Sequence, residues 1–162
     1  MPDIKLIAAI DDKRGIAIGQ KLPWHLPTDQ KYFREKLEDG PVAMGWNTFA
    51  ANNFKPFGHG VNIVITRRQT EAIPGVWVVH DTHEFFESRK DDLWVAGGGQ
   101  IFKEALPYAT HLYITRVEGD YNADIYFPEF ESDFQRIDNN QPQTENGITF
   151  TFQTWKRKPS SK

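Results

Sequence analysis

Short runs of apolar, mostly β-branched residues alternate with helical patterns along most of the chain. The runs have the length of strands buried on both faces of a sheet, and they cover Lys5 to Ile10, Val42 to Met44, Val61 to Thr66, Val76 to Val79 and Leu93 to Ala96. Helical patterns cover Asp29 to Leu37, Thr82 to Arg89 and Gln100 to Leu106. The alternation predicts an α/β fold with a mostly parallel sheet.

The C-terminal third has a different pattern. Two further apolar runs, Leu112 to Val117 and Thr149 to Trp155, are separated by a long polar stretch, and the second alternates between apolar and polar residues. Alternation is typical of antiparallel strands at a sheet edge. We therefore expect a central sheet of about eight strands, mostly parallel with an antiparallel C-terminal edge, flanked by about four helices.

The composition narrows the class of protein. A chain of 162 residues, 39% of them hydrophobic, fits one domain over residues 1–156 and a flexible tail at 157–162. It has no cysteine, which excludes disulfides and thiolate metal sites, and its histidines lack ligand spacing, so we expect no metal. A net charge of −3, with no signal peptide or membrane span in the sequence, predicts a cytoplasmic monomer without nucleic-acid or membrane partners.

Three glycines, Gly97 to Gly99, follow the buried run Leu93 to Ala96 and precede a helical pattern. A strand-to-helix turn without Cβ atoms lets the backbone approach a ligand closely, and it directs free N–H groups and a helix N-terminus at an anion. A pyrophosphate fits that description. A tight turn needed only for packing is the alternative, and the spacing is not the G-x-G-x-x-G fingerprint of Rossmann folds.

A second candidate anion site is Ile65-Thr66-Arg67-Arg68, at the C-terminal end of another buried run, where ligands of open α/β sheets collect. Two guanidinium groups and a hydroxyl can hold a phosphate monoester, although a solvated basic turn would have the same sequence. Together with the glycine turn, this motif indicates a ligand with a diphosphate and a separate phosphate. NADPH is the commonest such molecule.

Asp29 is the candidate acid. It shares one helix face with Phe33 and Leu37, which follow it at intervals of four residues. In an apolar pocket its carboxylate needs a hydrogen-bonding partner and its pKa should rise; a flat heterocycle with two adjacent N–H donors would be such a partner. The purely structural alternative is a helix start, with Thr28 as N-cap and Asp29 in the first turn.

The polar segment Asp11 to Gln20, which contains Gly15 and Gly19, suits either a mobile lid or an inert surface loop.

The order in which these features occur along the chain resembles that in the dihydrofolate reductases, over residues 5–155. The motifs that carry the resemblance are Leu6-Ile7-Ala8-Ala9, Leu22-Pro23-Trp24, Asp29 with Phe33, Met44-Gly45 with Thr48, Ile65-Thr66-Arg67, Ala96-Gly97-Gly98-Gly99, Leu112-Tyr113-Ile114-Thr115, and Asp124 with Phe127-Pro128.

The resemblance implies reduction of 7,8-dihydrofolate to tetrahydrofolate by hydride transfer from NADPH. It implies that Asp29 binds the pterin and assists protonation at N5, that Thr115 supports this carboxylate, and that Trp24 lies beside the pterin and holds a water. Leu22 would lie on the lid, and Asp124 would steady the closed lid by accepting backbone N–H bonds. The residues implied at the substrate are Ile7, Ala8, Asp29, Gln30, Phe33, Arg34, Lys55, Phe57, Ala96, Tyr113 and Thr115.

The residues implied at the cofactor are Ala9, Ile16, Gly19, Gln20, Trp46, Asn47, Thr48, Thr66, Arg67, Arg68, Gly97, Gly98, Gly99, Gln100, Ile101 and Phe102. Among them, Ala9 and Ile16 would meet the nicotinamide carboxamide, and Thr66 with Arg67 the 2′-phosphate. Thr48 and the glycine turn would hold the diphosphate.

The chain departs from the family pattern at three positions. Gly60 stands where the family carries an arginine that grips the glutamate tail, and we expect Arg34, Lys55 or His59 to replace it. Trp46 stands where a basic residue is usual; it could stack on adenine, which leaves the cofactor preference to Arg67 and Arg68. Ala17 replaces a lid glycine and should alter the balance between open and closed lid.

Two other functions remain open at this stage. A related NADPH-dependent reductase could act on another pteridine or a pyrimidine, and a non-catalytic nucleotide-binding module would keep the glycine turn. The module would need no acid at position 29, so turnover of NADPH with dihydrofolate, with and without Asp29, separates these functions.

Overall fold

The computed structural model describes residues 2–19 and 21–159. The strands in these residues are β1 (Ile4–Ile10), β2 (Gly15–Ala17), β3 (Val42–Gly45), β4 (Asn62–Ile65), β5 (Trp77–Val79), β6 (Leu93–Val95), β7 (His111–Val117), β8 (Ile125–Tyr126), β9 (Phe134–Arg136), β10 (Gln143–Glu145) and β11 (Ile148–Arg157). The helices are α1 (Pro27–Lys36), α2 (Trp46–Ala51), α3 (Thr82–Glu87), α4 (Gly99–Ala105) and a 3₁₀ helix at Leu106–Tyr108.

The main sheet has the strand order β10-β11-β7-β1-β6-β3-β4-β5, and β9 also pairs with β11. The strands from β7 to β5 are parallel, and β9, β10 and β11 form the antiparallel edge. This confirms the predicted fold class. The strand predicted at Leu112 to Val117 is not itself at the edge, because β7 pairs parallel with β1 and antiparallel with β11.

Alternating side chains of the parallel strands fill two cores, one on each face of the sheet. In β1, Leu6 and Ala8 lie in the core that contains Phe102 of α4, whereas Ile7 lies in the core that contains Phe49 of α2. This explains the continuous apolar runs in the sequence, since both faces of each strand are covered. The longest helix in the described residues, α1, has ten residues, and none there is long and apolar enough to cross a membrane.

Several short elements are missing from the sequence-based prediction. Helix α2 has six residues, too few for a helical period, and it begins directly after Gly45. Strands β2 and β8 form a separate two-stranded sheet outside the main one. These elements border the site described below, so the missed structure lies close to the function.

The C-terminal segment is anchored further along than expected. Arg157 ends β11, its backbone N–H donates to Thr110 O at 3.0 Å, and the N–H of Lys158 donates to Asp133 O at 2.9 Å. A flexible tail therefore does not start at 157, the position expected from the sequence. Residues 160–162 of that expected tail lie outside the described residues.

The central position of β1 predicts the effect of truncating its core. Leu6 is fully buried, so Leu6→Ala should lower the free energy of unfolding by about 2–5 kcal/mol through lost contacts and a residual cavity. Val61→Ala, at a side chain that is 50% exposed, is the control and should cost less than about 1 kcal/mol. Urea unfolding measures both; equal losses would contradict this account of the core.

Candidate active site

A cavity of about 480 Å³ opens at the C-terminal ends of the central parallel strands. Strand β1 and the turn that follows β6 form its floor, α1 and α2 form one wall each, and the segment after β1 forms the rim. Its lining residues are Ile7, Ala8, Ala9, Ile16, Ala17, Leu22, Asp29, Gln30, Phe33, Arg34, Asn47, Thr48, Ala51, Asn52, Phe57, Ala96, Gly97, Gly98, Gly99, Phe102 and Ile125. Ala17, Ala51, Asn52 and Ile125 are those not expected from the sequence.

Asp29 is in the first turn of α1, where its side chain is 8% exposed and faces the cavity. The helix begins at Pro27, whose missing N–H costs nothing at that position, and Leu26 is the N-cap without a side-chain hydrogen bond. The expectation that Thr28 caps the helix is therefore wrong: Thr28 lies within the first turn, and its hydroxyl donates to Glu145 at 2.7 Å.

Thr115 on β7 holds the Asp29 carboxylate. Its Oγ1 donates a hydrogen bond to Asp29 Oδ1 at 2.6 Å, between two buried side chains. Burial raises the pKa of Asp29 above its usual value of 3.8, the Thr115 hydrogen bond opposes that rise, and the negative charge of Glu145 adds to it. The carboxylate thus has a protein partner at one oxygen and an elevated affinity for a proton.

Apolar side chains surround the carboxylate. Phe33 and Phe57 meet edge to face with ring centroids 5.6 Å apart, and they line the cavity with Ile7. Trp24 is buried beside Tyr121 rather than in the cavity lining, and its indole N–H has no hydrogen-bond partner among the described residues. The site therefore has an apolar lining around Asp29 and a buried donor outside that lining.

The glycine turn forms the other end of the same cavity. Gly97 has φ +118°, and a Cβ there would lie 3.3 Å from Thr48 Oγ1 and 3.2 Å from the Phe102 ring. The Gly45 N–H donates to Gly97 O at 2.8 Å, which joins the starts of α2 and α4. Because no side chain caps either helix, the two turns present backbone and the Thr48 hydroxyl to a ligand. This cradle suits a diphosphate.

A second cavity, of about 270 Å³, lies on the next part of α4. Thr66 and Arg67 line it from the end of β4, and Gln100 and Ile101 line it from α4, as expected for the cofactor; Ile65, His80, Thr82 and Glu104 are additional. Thr66 Oγ1 accepts the Arg68 N–H at 3.1 Å, which leaves its own proton free to donate. The residues present therefore fit a dinucleotide with a diphosphate and a separate phosphate.

Trp46 and Arg68 line neither of these cavities. The Arg68 guanidinium lies over the Trp46 ring, 4.8 Å from its centroid, and Phe54 packs against the same ring with centroids 5.6 Å apart. One face of Trp46 is thus covered by a cation–π contact. The hypothesis that Trp46 is free to stack on adenine does not hold for that face.

The expected lid is held at its base by polar groups. Asp11 is 1% exposed, and its carboxylate accepts the backbone N–H groups of Lys13 and Gly15 at 2.8 Å and of Tyr121 at 3.1 Å. The Gly19 N–H donates to both oxygens of Asp124 at 3.1 Å, as the resemblance implies. Gln20, expected at the cofactor, lies outside the described residues.

Ala17 is extended in β2 and pairs with Ile125 of β8. A strand needs no positive φ, so alanine fits where the family has glycine. The expected change in the balance between open and closed lid stays a prediction.

The sequence did not indicate the buried anchor Asp11, because a single polar residue in a polar loop gives no periodic signal.

The region of the missing tail arginine is tightly packed. A Cβ at Gly60 would lie 2.2 Å from Asp39 O, so no side chain fits there without a backbone shift. Of the expected substitutes, Arg34 lines the cavity, whereas His59 Nε2 lies 2.9 Å from Glu38 Oε1 and Lys55 is exposed outside the lining. Tyr113 also lies outside the lining, against Trp94 with centroids 4.8 Å apart.

Comparisons with known proteins agree with this geometry. The family model described as dihydrofolate reductase matches residues 3–157. A dihydrofolate reductase of Bacillus subtilis is 32% identical over 98% of this chain and 97% of its own length, and one of Haemophilus influenzae is 31% identical over 93% and 98%. A dihydrofolate reductase from Enterococcus faecalis, solved in complex with NADP(H) and RAB-propyl, superposes with a TM-score of 0.83 at 28% identity, covering 96% of each chain.

The raised pKa of Asp29 predicts a pH-dependent cost to stability. The unfolded chain ionises this group near pH 3.8 and the folded chain only at higher pH, so its contribution is present below 3.8 and is lost as pH rises through the folded pKa. The free energy of unfolding of Asp29→Asn should therefore be no higher than that of wild type at pH 3. It should exceed that of wild type increasingly as pH rises, and the difference should become constant above the folded pKa. Urea unfolding across pH tests this; a gain already present at pH 3 and constant above it would contradict it.

Proposed function

The chain belongs to the dihydrofolate reductase family and reduces 7,8-dihydrofolate to tetrahydrofolate with NADPH, and we propose that Asp29 is the residue on which this reaction depends. The observation that carries the proposal is the placement of its carboxylate. The carboxylate is shielded from bulk solvent, accepts a hydrogen bond from Thr115 and faces the cavity. The glycine turn is at the other end of that cavity, so the substrate and cofactor rings can meet between Asp29 and the turn.

Asp29 has two tasks in this proposal. Bound NADPH supplies a hydride for C6 of the pterin ring. The Asp29 carboxylate accepts two adjacent N–H groups of the pterin and fixes its orientation. Because burial raises its pKa, Asp29 also makes uptake of a proton by the site more favourable. The proton affinity of the pterin N5 rises as a result. Ile7, Phe33 and Phe57 exclude water when the ligands are bound, and the N–H of Trp24, which has no partner in the described part of the chain, is available to hold a water for the proton.

The cofactor residues follow from the two cavities. Thr48 and the backbone of Gly97 to Gly99 would hold the diphosphate, and Ala9 with Ile16 would meet the carboxamide. Thr66 and Arg67 would hold the 2′-phosphate, since a hydroxyl donor and a guanidinium line the second cavity. Arg68, held on Trp46, adds positive charge next to them. The preference for NADPH would thus depend on the arginines after β4.

The remaining features of the protein are proposals as well. Because the net charge is −3, we propose that the protein acts without nucleic acid. We also propose that it is a cytoplasmic monomer folded as one domain, which extends at least to the end of β11 at Arg157. Arg34 is proposed to bind the glutamate tail, because it is the expected substitute that lines the cavity.

Removing the acid tests the proposed function. Asp29→Asn keeps the shape and one acceptor for Thr115 but cannot hold the second N–H bond or the proton, so consumption of NADPH with dihydrofolate at pH 7 should fall by about 100-fold or more. Binding of NADPH, followed by fluorescence, should stay within about twofold and serves as the control. Unchanged turnover would refute the role of Asp29, and binding of both ligands by wild type without turnover would indicate a binding module.

Alanine substitutions at the candidate tail residues test the position of Arg34. Arg34→Ala should raise the KM for dihydrofolate about tenfold through loss of a charged hydrogen bond. Lys55→Ala and His59→Ala are the matched controls and should leave KM within about twofold. If all three stay within that range, none of these residues has taken over the task of the arginine replaced by Gly60.

A further inference from the structure

The hairpin formed by β10 and β11 contacts the first turn of α1. Glu145 Oε1 accepts the Thr28 backbone N–H at 2.9 Å, and Glu145 Oε2 accepts the Thr28 hydroxyl at 2.7 Å. The next residue, Asn146, donates from its side chain to His25 O at 3.1 Å. These bonds join segments more than 115 residues apart in the chain, and the two from Thr28 involve the residue next to Asp29.

Helix α1 needs this contact because it lacks a cap of its own. Leu26 is the N-cap, is 1% exposed and has no side chain that accepts a hydrogen bond, and Pro27 has no N–H. The first free N–H of the helix is therefore that of Thr28, and Glu145 supplies its acceptor. A carboxylate at a helix N-terminus is also favoured by the helix dipole. The first turn, which includes Asp29, is thus fixed by a residue of a distant hairpin.

We propose that Glu145 is a positioning residue for the reduction: it caps α1 from the β10–β11 hairpin, holds Asp29 in register with Thr115, and places a second negative charge beside the buried carboxylate. This inference rests on the proposed role of Asp29. It assigns to the hairpin a part in the reaction although no residue of the hairpin lines the cavity.

The electrostatic part of this proposal concerns the ionisation of two neighbouring acids, Glu145 and Asp29. Hydrogen bonds from the Thr28 backbone and hydroxyl lower the pKa of Glu145 below 4.5, whereas burial raises that of Asp29 above 3.8. These shifts favour the ionised form of Glu145 and the protonated form of Asp29, and the negative charge of Glu145 makes ionisation of Asp29 less favourable. His25 acts on Glu145 in the direction that lowers its pKa.

Other titratable or charged groups also face Asp29. Tyr32, on the same helix, has its pKa raised to about 12 by burial and by neighbouring groups that include Asp29, so it is neutral over the relevant range. Tyr113 on β7 has a raised pKa as well, and Arg34 lines the same cavity. A substitution of Glu145 thus tests the effect of a neighbouring negative charge on Asp29.

The experiment compares Glu145→Gln with Thr28→Val. The glutamine keeps an acceptor oxygen but removes the charge, so the pKa of Asp29 should move to lower pH. The fall in turnover at high pH should move to lower pH with it, giving less turnover at pH 8 and less than about twofold change at the acid plateau. Thr28→Val removes one hydrogen bond but keeps the charge, and the Asp29 pKa should stay closer to that of wild type.

The decisive readout is the pKa of Asp29, measured by ¹³C NMR of its carboxyl carbon at low ionic strength without substrate or cofactor. An unchanged value in folded Glu145→Gln overturns the inference, even if turnover falls. If that variant does not fold by circular dichroism, salt replaces it: screening of the half-buried Glu145 charge by raising the salt concentration from about 10 to 300 mM should lower the Asp29 pKa of wild type, and a constant value overturns the inference. Failure of Asp29→Asn to reduce turnover would instead refute the proposed function, so the two failures are distinguishable.

Discussion

The structure depends on keeping one carboxylate out of water. Burying Asp29 is unfavourable unless its carboxylate oxygens are hydrogen-bonded. The protein supplies one bond, from Thr115 to Oδ1, and leaves the remaining acceptor positions of the carboxylate to a ligand. Thr115 can do this because β7 runs between β1 and β11 and is held on both sides. The placement of α1, its proline start and its distant cap all serve to bring Asp29 to that hydroxyl.

The proposed anion binding depends on local geometry rather than on net charge. The chain carries a formal charge of −3, yet two helix starts, three glycines and Arg67 line the two cavities. Backbone N–H groups hold phosphate oxygens without side-chain entropy, and they do not attract nucleic acid over a long range. Specificity for a dinucleotide can therefore coexist with an acidic surface.

The sequence predicts those parts of the fold and site that have a regular signal. Buried parallel strands appear as continuous apolar runs, and the glycine turn is visible because three glycines follow one of them. The spacing of Asp29 and Phe33 places both on one helix face, as the cavity lining confirms. Helix α2 is too short for a period, while the Asp11 anchor, the Arg68–Trp46 contact and the Thr28–Glu145 pair join single residues that are unrelated in the sequence pattern.

The close packing of Gly60 has a consequence for how this chain can change. A Cβ at this position would lie 2.2 Å from the main-chain oxygen of Asp39, so a single substitution to arginine would not fit without a shift of the backbone. A cation for an anionic ligand tail would therefore have to come from another element, such as α1, whose Arg34 lines the cavity.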